Sequence, residues 1–411
     1  MEVYYRAIRK TLDRMELYGL DVKEENPARS QRISVAYISL NLTAKGEEQN
    51  QGSRSWNSVL DALEAPERGR LLVRGDAGMG KTTLLRWAAI AIASQAEPDH
   101  GKKGGATYEP GLAVEASPFG PRLLMSGDRA RSIAETWRGK VPLLVILREC
   151  PDGKFPDPND FPKFVSGALG MPPDGLVRWL LNEGKALVMI DGLDEIPTGQ
   201  PTKSMSKGIS DLLGLYADRG NLFIATSRPL VMDPGWITEL NFREAVIAPM
   251  TDPERDALIQ MWHRAVAERT KDETRRGEIE AMPAGLIQQL NCRPAIARLA
   301  SVPLLCAMIC AQSGPLGSKL PESEFAIINK LAEAMLWVRD RDRDVPKTGT
   351  PWDDLTEDKR LAVAARLAHF LIAQGKAAVP REDAVKKITD ALIFAGLTAA
   401  DAKRDAPSIL I

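Results

Sequence analysis

Cysteine, histidine and long apolar runs are scarce in this sequence, and each scarcity excludes a class of protein. The 411 residues include four scattered cysteines and three histidines, so we expect neither a disulfide framework nor a zinc site. No apolar run reaches the roughly 18 residues of a membrane span. The first residues, MEVYYRAIRK, lack the apolar core of a signal peptide. We therefore expect a cytoplasmic protein with no membrane contact.

An excess of either charge is also lacking. The 54 Lys and Arg residues and 55 Asp and Glu residues leave a formal net charge of −1. No global basic field therefore indicates a nucleic-acid partner. The hydrophobic fraction of 44% and the charged fraction of 27% are typical of a globular protein. The length is sufficient for two or three domains.

Short apolar runs alternate with helical stretches from residue 71 to about residue 250. The runs are LLVR (71–74), PLLVIL (142–147), ALVMI (186–190), LFIAT (222–226) and AVIA (245–248). Strands that alternate with helices predict a parallel sheet covered on both faces. The predicted fold class is therefore α/β, with a five-stranded parallel sheet. Residues 97–140 break the pattern, and we predict that most of them form a mobile insertion.

The segments on either side of this region have other patterns. Residues 1–20 are predicted to form a helix, and residues 33–42 are predicted to form a strand or an extended arm. After residue 251 the patterns are helical, and a linker leads to two further predicted helices at 357–374 and 381–395. The last residues, DAPSILI, form an apolar run without a closing element, which suggests a truncated chain.

A glycine-rich segment follows the first predicted strand and opens a helix. Residues 75–82, GDAGMGKT, match the pattern G-x-x-x-x-G-K-[ST] in this strand-to-helix context. Glycines let backbone N–H groups surround phosphate oxygens, and the helix N-terminus adds partial positive charge. Lys81 would neutralise the β- and γ-phosphates, and the Thr82 hydroxyl would ligate Mg²⁺. The candidate nucleotide-binding residues here are Gly75, Asp76, Ala77, Gly78, Met79, Gly80, Lys81, Thr82 and Thr83.

Three acids follow the apolar strand ALVMI. Asp191, at the tip of a strand expected beside the phosphate loop, is predicted to hold Mg²⁺ together with Thr82. Glu195 is placed to polarise the water that attacks the γ-phosphate, and Asp194 could share that role or support the metal shell. A solvated acidic turn is the alternative, which the preceding apolar strand disfavours.

Two arginines end other predicted strands. Arg228 follows LFIATS at the carboxyl edge, where open α/β sheets bind ligands. Its planar donor fork could sense the γ-phosphate, and a plain surface arginine is the alternative. Arg148, after VPLLVIL, occupies an analogous position, where a structural and a functional role are equally compatible with the sequence.

Together these residues resemble the NACHT family of signal-transduction NTPases. The segments GDAGMGKTTLLRW, VPLLVILRE, ALVMIDGLDEIP, LFIATSRPL and SVPLLCAMIC occur in the family's order and approximate spacing, over about residues 33–395. The resemblance implies an ADP/ATP switch with Mg²⁺, in which ADP holds the domains closed and ATP opens them. The opened protomers would self-associate and activate an unknown effector after an unknown trigger. It also implies that Pro303 packs near the base, and a role in innate immunity or antiphage defence.

The resemblance suggests four domains. These are an N-terminal helix and arm (1–66), a nucleotide-binding domain (67–250), a helical domain (251–345) and the start of a winged-helix domain (346–411). The family's winged-helix histidine has no match, and His369 is expected to be structural. Two alternative functions stay open. One is an AAA-like mechanical ATPase that remodels protein or nucleic acid, and the other is a scaffold that binds ATP without hydrolysing it.

Overall fold

The computed structural model describes most of the chain in separate segments. They are residues 2–12, 15–16, 30–31, 42–44, 55–56, 69–95, 139–150, 153–166, 172–196, 200–229, 239–313, 320–321, 323–333, 355–374, 379–407 and 409. The described residues up to Cys310 belong to one compact unit, and those from Ala311 onwards belong to another. The predicted domain boundaries stay predictions.

A seven-stranded sheet forms the centre of the first unit. The strands of this unit are β1 (Met15–Glu16), β2 (Ser30–Gln31), β3 (Leu42–Ala44), β4 (Ser55–Trp56), β5 (Arg70–Arg74), β6 (Val141–Ile146), β7 (Ala186–Asp191), β8 (Leu222–Ser227) and β9 (Arg243–Ile247). The sheet has the order β4-β3-β9-β5-β8-β7-β6, and β1 pairs with β2 separately. Strands β9, β5, β8, β7 and β6 are mutually parallel. The predicted five-stranded parallel sheet is therefore confirmed.

The sequence of the central strands explains their position. Every residue of β6 and β7 is buried, as expected for parallel strands covered on both faces, whose sequences are continuous apolar runs. The register aligns the carboxyl ends, because Arg74 pairs with Ser227 and Ile146 pairs with Asp191. Side chains from β5, β6, β7 and β8 therefore reach one common edge.

Nine helices of the described chain begin in the first unit. They are α1 (Glu2–Leu12), α2 (Lys81–Gln95), α3 (Lys163–Ser166), α4 (Leu176–Asn182), α5 (Gln200–Tyr216), α6 (Asp252–Arg269), α7 (Glu273–Asn291), α8 (Pro294–Ala300) and α9 (Pro303–Ser313). Within these segments no single helix is long and apolar enough to span a membrane, and α8 and α9 pass that test only jointly, across a bend of 112°.

The N-terminal helix is shorter than predicted. It ends at Leu12, because Met15 and Glu16 pair with β2 instead of continuing the helix. Tyr4, Ile8 and Leu12 are buried on one face, as their spacing predicts. The predicted strand at 33–42 lies outside the described residues except for Leu42, and so does the predicted insertion at 97–140 except for its last two residues.

The helical pattern after residue 251 is confirmed. At the start of α6 the Glu254 carboxylate accepts the N–H of Thr251 at 2.7 Å, which caps the helix. Helix α7 continues through Pro283. Proline costs one helical hydrogen bond, and the buried face of α7, with Ile279 and Leu286 among its residues, offsets that cost by packing.

The second unit contains helices α10 (Glu324–Glu333), α11 (Glu357–Ala373), α12 (Arg381–Phe394) and α13 (Ala399–Asp405). Helices α11 to α13 share a core that includes Val363, Leu392 and Ala402. The two predicted helices here are confirmed, whereas α13 is an addition, capped by the Thr398 hydroxyl. No strand occurs among the residues described after Ala311, so the winged helix stays a prediction.

Candidate functional site

The glycine-rich segment forms a tight turn between β5 and α2. The Gly75 N–H donates to the Ser227 carbonyl at 3.2 Å, and the Met79 N–H donates to the Asp76 carbonyl at 3.3 Å. Gly78 and Gly80 have φ values of 81° and 85°, a region that other residues rarely adopt. Met79 is buried, and Asp76 and Ala77 are exposed. The turn therefore leads directly into the N-terminus of α2 at Lys81.

The Lys81 ammonium lies against this turn. Its Nζ donates to the carbonyls of Gly75 at 2.6 Å and Asp76 at 2.9 Å. Burial lowers the pKa of Lys81, and the nearby Asp194 carboxylate opposes that shift. A cation is thus held on the turn by weak neutral acceptors, which an anion could replace.

The backbone N–H groups at the start of α2 also point into this region. A helix leaves its first N–H groups without intrahelical acceptors. In the described part of the chain, no backbone hydrogen bond uses the N–H groups of Gly80, Lys81 or Thr82. Together with the helix dipole, these groups form a cradle suited to an anion such as phosphate.

Asp191 is the centre of the acidic side of the site. This buried carboxylate accepts the Thr82 hydroxyl on Oδ2 at 2.7 Å and the Thr226 hydroxyl on Oδ1 at 2.7 Å. Strand β8 lies between β5 and β7 in the sheet, and Asp191 at the end of β7 still reaches Thr82 beside the glycine turn. Asp191 therefore contacts both the start of α2, through Thr82, and the end of β8, through Thr226.

Glu195 follows on a short 3₁₀ helix, Leu193–Glu195. The turn into this helix is made by Gly192 with a φ of 85°, and the Glu195 N–H donates to the Gly192 carbonyl at 2.9 Å. The Glu195 Oε1 lies 3.5 Å from the Arg148 guanidinium. Its Oε2 is buried and has no hydrogen-bond partner among the described residues. Burial raises the pKa of Glu195, and Arg148 opposes that shift.

Asp194 and Arg228 form an ion pair at the same edge. The Arg228 Nε lies 3.1 Å from Asp194 Oδ2, and the Arg228 backbone N–H donates to Asp194 Oδ1 at 3.0 Å. Only 6% of the Asp194 side chain is exposed, against 53% for Arg228. Arg74, paired with Glu244 at 2.8 Å, also donates to the Arg228 carbonyl. The Arg228 backbone is fixed, and its guanidinium stays accessible.

The start of α9 contacts the glycine turn. The Leu304 N–H donates to the Gly78 carbonyl at 3.2 Å. A Cβ atom at Gly78 would lie 3.1 Å from the Leu304 Cβ and 3.3 Å from Val302 Cγ1. Pro303 is the first residue of α9 and is half-buried between these two contacts. The structure therefore places Pro303 beside the turn, whereas its predicted contact with a base stays untested.

The structure brings together most of the predicted site residues at the carboxyl edge of the sheet. Arg148 joins them, and His369 lies exposed on α11 in the second unit. Thr226 and Leu304 were missed as site residues. The position of Thr226 near the end of the otherwise apolar strand LFIATS was a signal that the sequence offered. Its partner, Asp191, could not be predicted, because it depends on the order of the strands in the sheet. Leu304 carried no signal, because its hydrogen bond to Gly78 uses only its backbone N–H.

This edge of the sheet places backbone N–H groups that could bind an anion beside side-chain oxygens that could bind a cation. Within the described segments no group of three or more His, Cys, Asp or Glu residues forms a ready-made metal site. The Thr82 hydroxyl and the Asp191 carboxylate are hard oxygen donors of the type that Mg²⁺ prefers. No protein-family model matches the chain, and no curated protein matches it significantly.

Proposed function

We propose that this chain binds ATP or ADP with Mg²⁺ at the turn formed by residues 75–83. The observation that carries the proposal is the 2.7 Å hydrogen bond from Thr82 to Asp191. It joins a hydroxyl at a helix N-terminus, beside the backbone N–H groups that begin α2, to a buried carboxylate on another strand. A hydroxyl and a carboxylate in this position suit a cation bound to phosphate oxygens.

Lys81 and the N–H groups of the turn would bind the phosphates. Transfer of the Lys81 ammonium from two backbone carbonyls to charged phosphate oxygens replaces neutral acceptors with ionic ones. Hydrogen bonds between charged groups are roughly twice as strong as neutral ones. When bound, Mg²⁺ would neutralise phosphate charge and polarise the γ-phosphoryl group. We therefore assign the largest share of phosphate affinity to Lys81.

Glu195 is the proposed general base. Within the described segments its buried Oε2 has no hydrogen-bond partner, which leaves an acceptor available for a water proton. A general base works best when its pKa lies near the working pH, and burial raises the pKa of Glu195 toward that range. The exposed Arg228 guanidinium, tethered through Asp194, would contact the γ-phosphate.

We further propose a NACHT-type switch in which slow hydrolysis controls self-association, in immunity or antiphage defence. The motif order supports this proposal, and so does the hydrogen bond between Leu304 and Gly78. That bond links the phosphate-binding turn to the helices that follow the sheet, so a shift of the turn on nucleotide exchange would move the start of α9. A winged-helix role for residues 346–411 belongs to the same proposal.

The switch is tested by the mass of the assembly in solution. Glu195→Gln removes the proposed base and should hold ATP at the site. With Mg²⁺ and ATP this variant should form oligomers, and with ADP it should stay monomeric. Mass photometry measures both states. Lys81→Ala should fail to respond to either nucleotide, whereas Lys207→Ala, an exposed lysine on α5, should behave as the wild type.

Each alternative function gives a different result in this experiment. A mechanical ATPase would form rings with ADP as well as ATP and would turn over rapidly. A scaffold would assemble with ATP in the wild type as it does in Glu195→Gln, because neither protein would hydrolyse it. A Glu195→Gln protein that has the same mass with both nucleotides would contradict the switch.

A further inference from the structure

We propose that Thr226 is a positioning residue that sets the orientation of the Asp191 carboxylate toward the cation, an inference that rests on the nucleotide site proposed above. Thr226 is fully buried at the end of β8. Register places it beside Asp191, because the preceding residues, Ala225 and Ile190, are paired. Neither residue needs to move for the hydroxyl to reach the carboxylate.

The hydrogen bonds of the Thr226 hydroxyl have only one consistent direction. The Gly192 N–H donates to Thr226 Oγ1 at 2.9 Å, so the hydroxyl oxygen is an acceptor there. An ionised carboxylate can only accept, so the single hydroxyl proton is donated to Asp191 Oδ1 at 2.7 Å. The hydroxyl is therefore fixed at both ends.

The two oxygens of the Asp191 carboxylate have different hydrogen-bond partners. Thr226 fixes Oδ1 from β8, and Oδ2 faces Thr82 at the start of α2. The hydrogen bond to Oδ1 restrains the rotation of the carboxylate, so that Oδ2 stays directed at the turn where the cation would bind. Residues that hydrogen-bond a metal-ligating group in this way orient that group and affect metal affinity.

The same hydroxyl also supports the turn that leads to Glu195. Gly192 starts the 3₁₀ helix of Asp194 and Glu195 with a φ of 85°. Its N–H is bound by Thr226, so this one side chain positions both the proposed metal carboxylate and the backbone that leads to the proposed base. A residue that only filled space in β8 would need no hydroxyl.

The test compares Thr226→Val with the wild type. Valine keeps the shape and removes both hydrogen bonds, and it leaves Lys81 and the glycine turn unchanged. Loss of a partner of a metal ligand typically reduces metal affinity about 10- to 100-fold. Mg²⁺ should tighten the binding of a fluorescent ADP analogue. We expect the Mg²⁺ concentration that produces half of this effect to be at least about tenfold higher for Thr226→Val than for the wild type. Binding of the same analogue in EDTA should stay unchanged.

A second pair of variants isolates the hydroxyl. Thr226→Ser keeps it and Thr226→Ala removes it, while both lose the same methyl group. Serine should restore the Mg²⁺ dependence of the wild type, and alanine should behave as valine. This pair decides the question if the valine variant does not fold, and binding in EDTA reports whether each variant is folded.

The outcomes separate this inference from the proposed function. A wild type whose ADP affinity is the same with Mg²⁺ and with EDTA would overturn both. A wild type that binds more tightly with Mg²⁺, with valine and alanine variants indistinguishable from it, would overturn the role of Thr226 alone. A serine variant as weak as the alanine variant would also overturn it, because the methyl group would then be responsible.

Discussion

Substitution of Gly192 by alanine should slow ATP hydrolysis about 10²-fold, with a loss of stability no larger than that of a matched control variant. A Cβ atom at Gly192 would lie 2.6 Å from the Glu195 Oε2 and 2.8 Å from its Cδ. Gly220 provides a matched control, because its φ of 88° is close to the 85° of Gly192 and a Cβ there would meet no described residue within 4 Å. Of the two alanine variants, only Gly192→Ala therefore places a Cβ atom against Glu195.

The magnitudes follow from the geometry. Both alanines adopt a left-handed conformation, which costs roughly 1–2 kcal/mol. An ordinary contact distance is about 3.5 Å, so the Glu195 carboxylate must retreat by about 1 Å from the Gly192 Cβ. That shift is cheap for a flexible side chain, but a misplacement of about 1 Å in a catalytic group can cost about 10²-fold in rate.

The assay has two parts. Urea denaturation should give similar losses of unfolding free energy for Gly192→Ala and Gly220→Ala. Single-turnover hydrolysis of ATP should fall about 10²-fold for Gly192→Ala only, with ATP affinity retained. Equal hydrolysis rates for the two variants would refute the assignment of Glu195 as the base.

Three further substitutions test separate contacts. Glu195→Gln should keep ATP affinity in calorimetry and slow turnover by about 10²-fold or more. It should also raise the free energy of unfolding at neutral pH, because burial raises the pKa of the native carboxyl. Arg228→Ala should weaken ATP binding more than ADP binding in calorimetry, since a γ-phosphate contact exists only with ATP. Gly78→Ala should destabilise the protein by roughly 1–3 kcal/mol more than Gly175→Ala in urea denaturation, because only its Cβ meets Leu304, at 3.1 Å.

The pH dependence of the unfolding free energy provides a control for the Glu195→Gln variant. A raised native pKa means that the folded protein holds the proton more tightly, so wild-type stability falls as the pH rises from about 4.3 through the native pKa. The advantage of Glu195→Gln should therefore vanish below about pH 4. A stability advantage of Glu195→Gln that persists below this pH would show another cause.

Equal losses of ATP and ADP affinity in Arg228→Ala would indicate a structural arginine. Equal stabilities of Gly78→Ala and Gly175→Ala would contradict the contact with α9.

The sequence was sufficient for features encoded in one continuous segment. The five parallel strands lie within two residues of their predicted positions, because each is a short apolar run with polar ends. The glycine turn was identified because its residues and the helix that follows are adjacent in the chain. The grouping of Lys81, Asp191 and Arg228 followed from the rule that parallel strands share a carboxyl edge.

Features that depend on strand order or on compensating contacts could not be predicted. The position of β8 between β5 and β7 is a property of the whole sheet, and the role of Thr226 follows from it. Helix α1 ends early because Met15 and Glu16 pair with a distant segment. Helix α7 continues through Pro283 because its buried face offsets the lost hydrogen bond. None of these outcomes is encoded in local periodicity.

Calorimetric titration with Mg·ATP tests the central claim most directly. The account predicts one ATP bound per wild-type chain and per Lys207→Ala chain. In Lys81→Ala the affinity should fall about tenfold or more, since a charge-assisted contact contributes roughly 1.5–3 kcal/mol. Wild-type protein that does not bind Mg·ATP, or Lys81→Ala protein that binds it with wild-type affinity, would contradict a nucleotide site at residues 75–83.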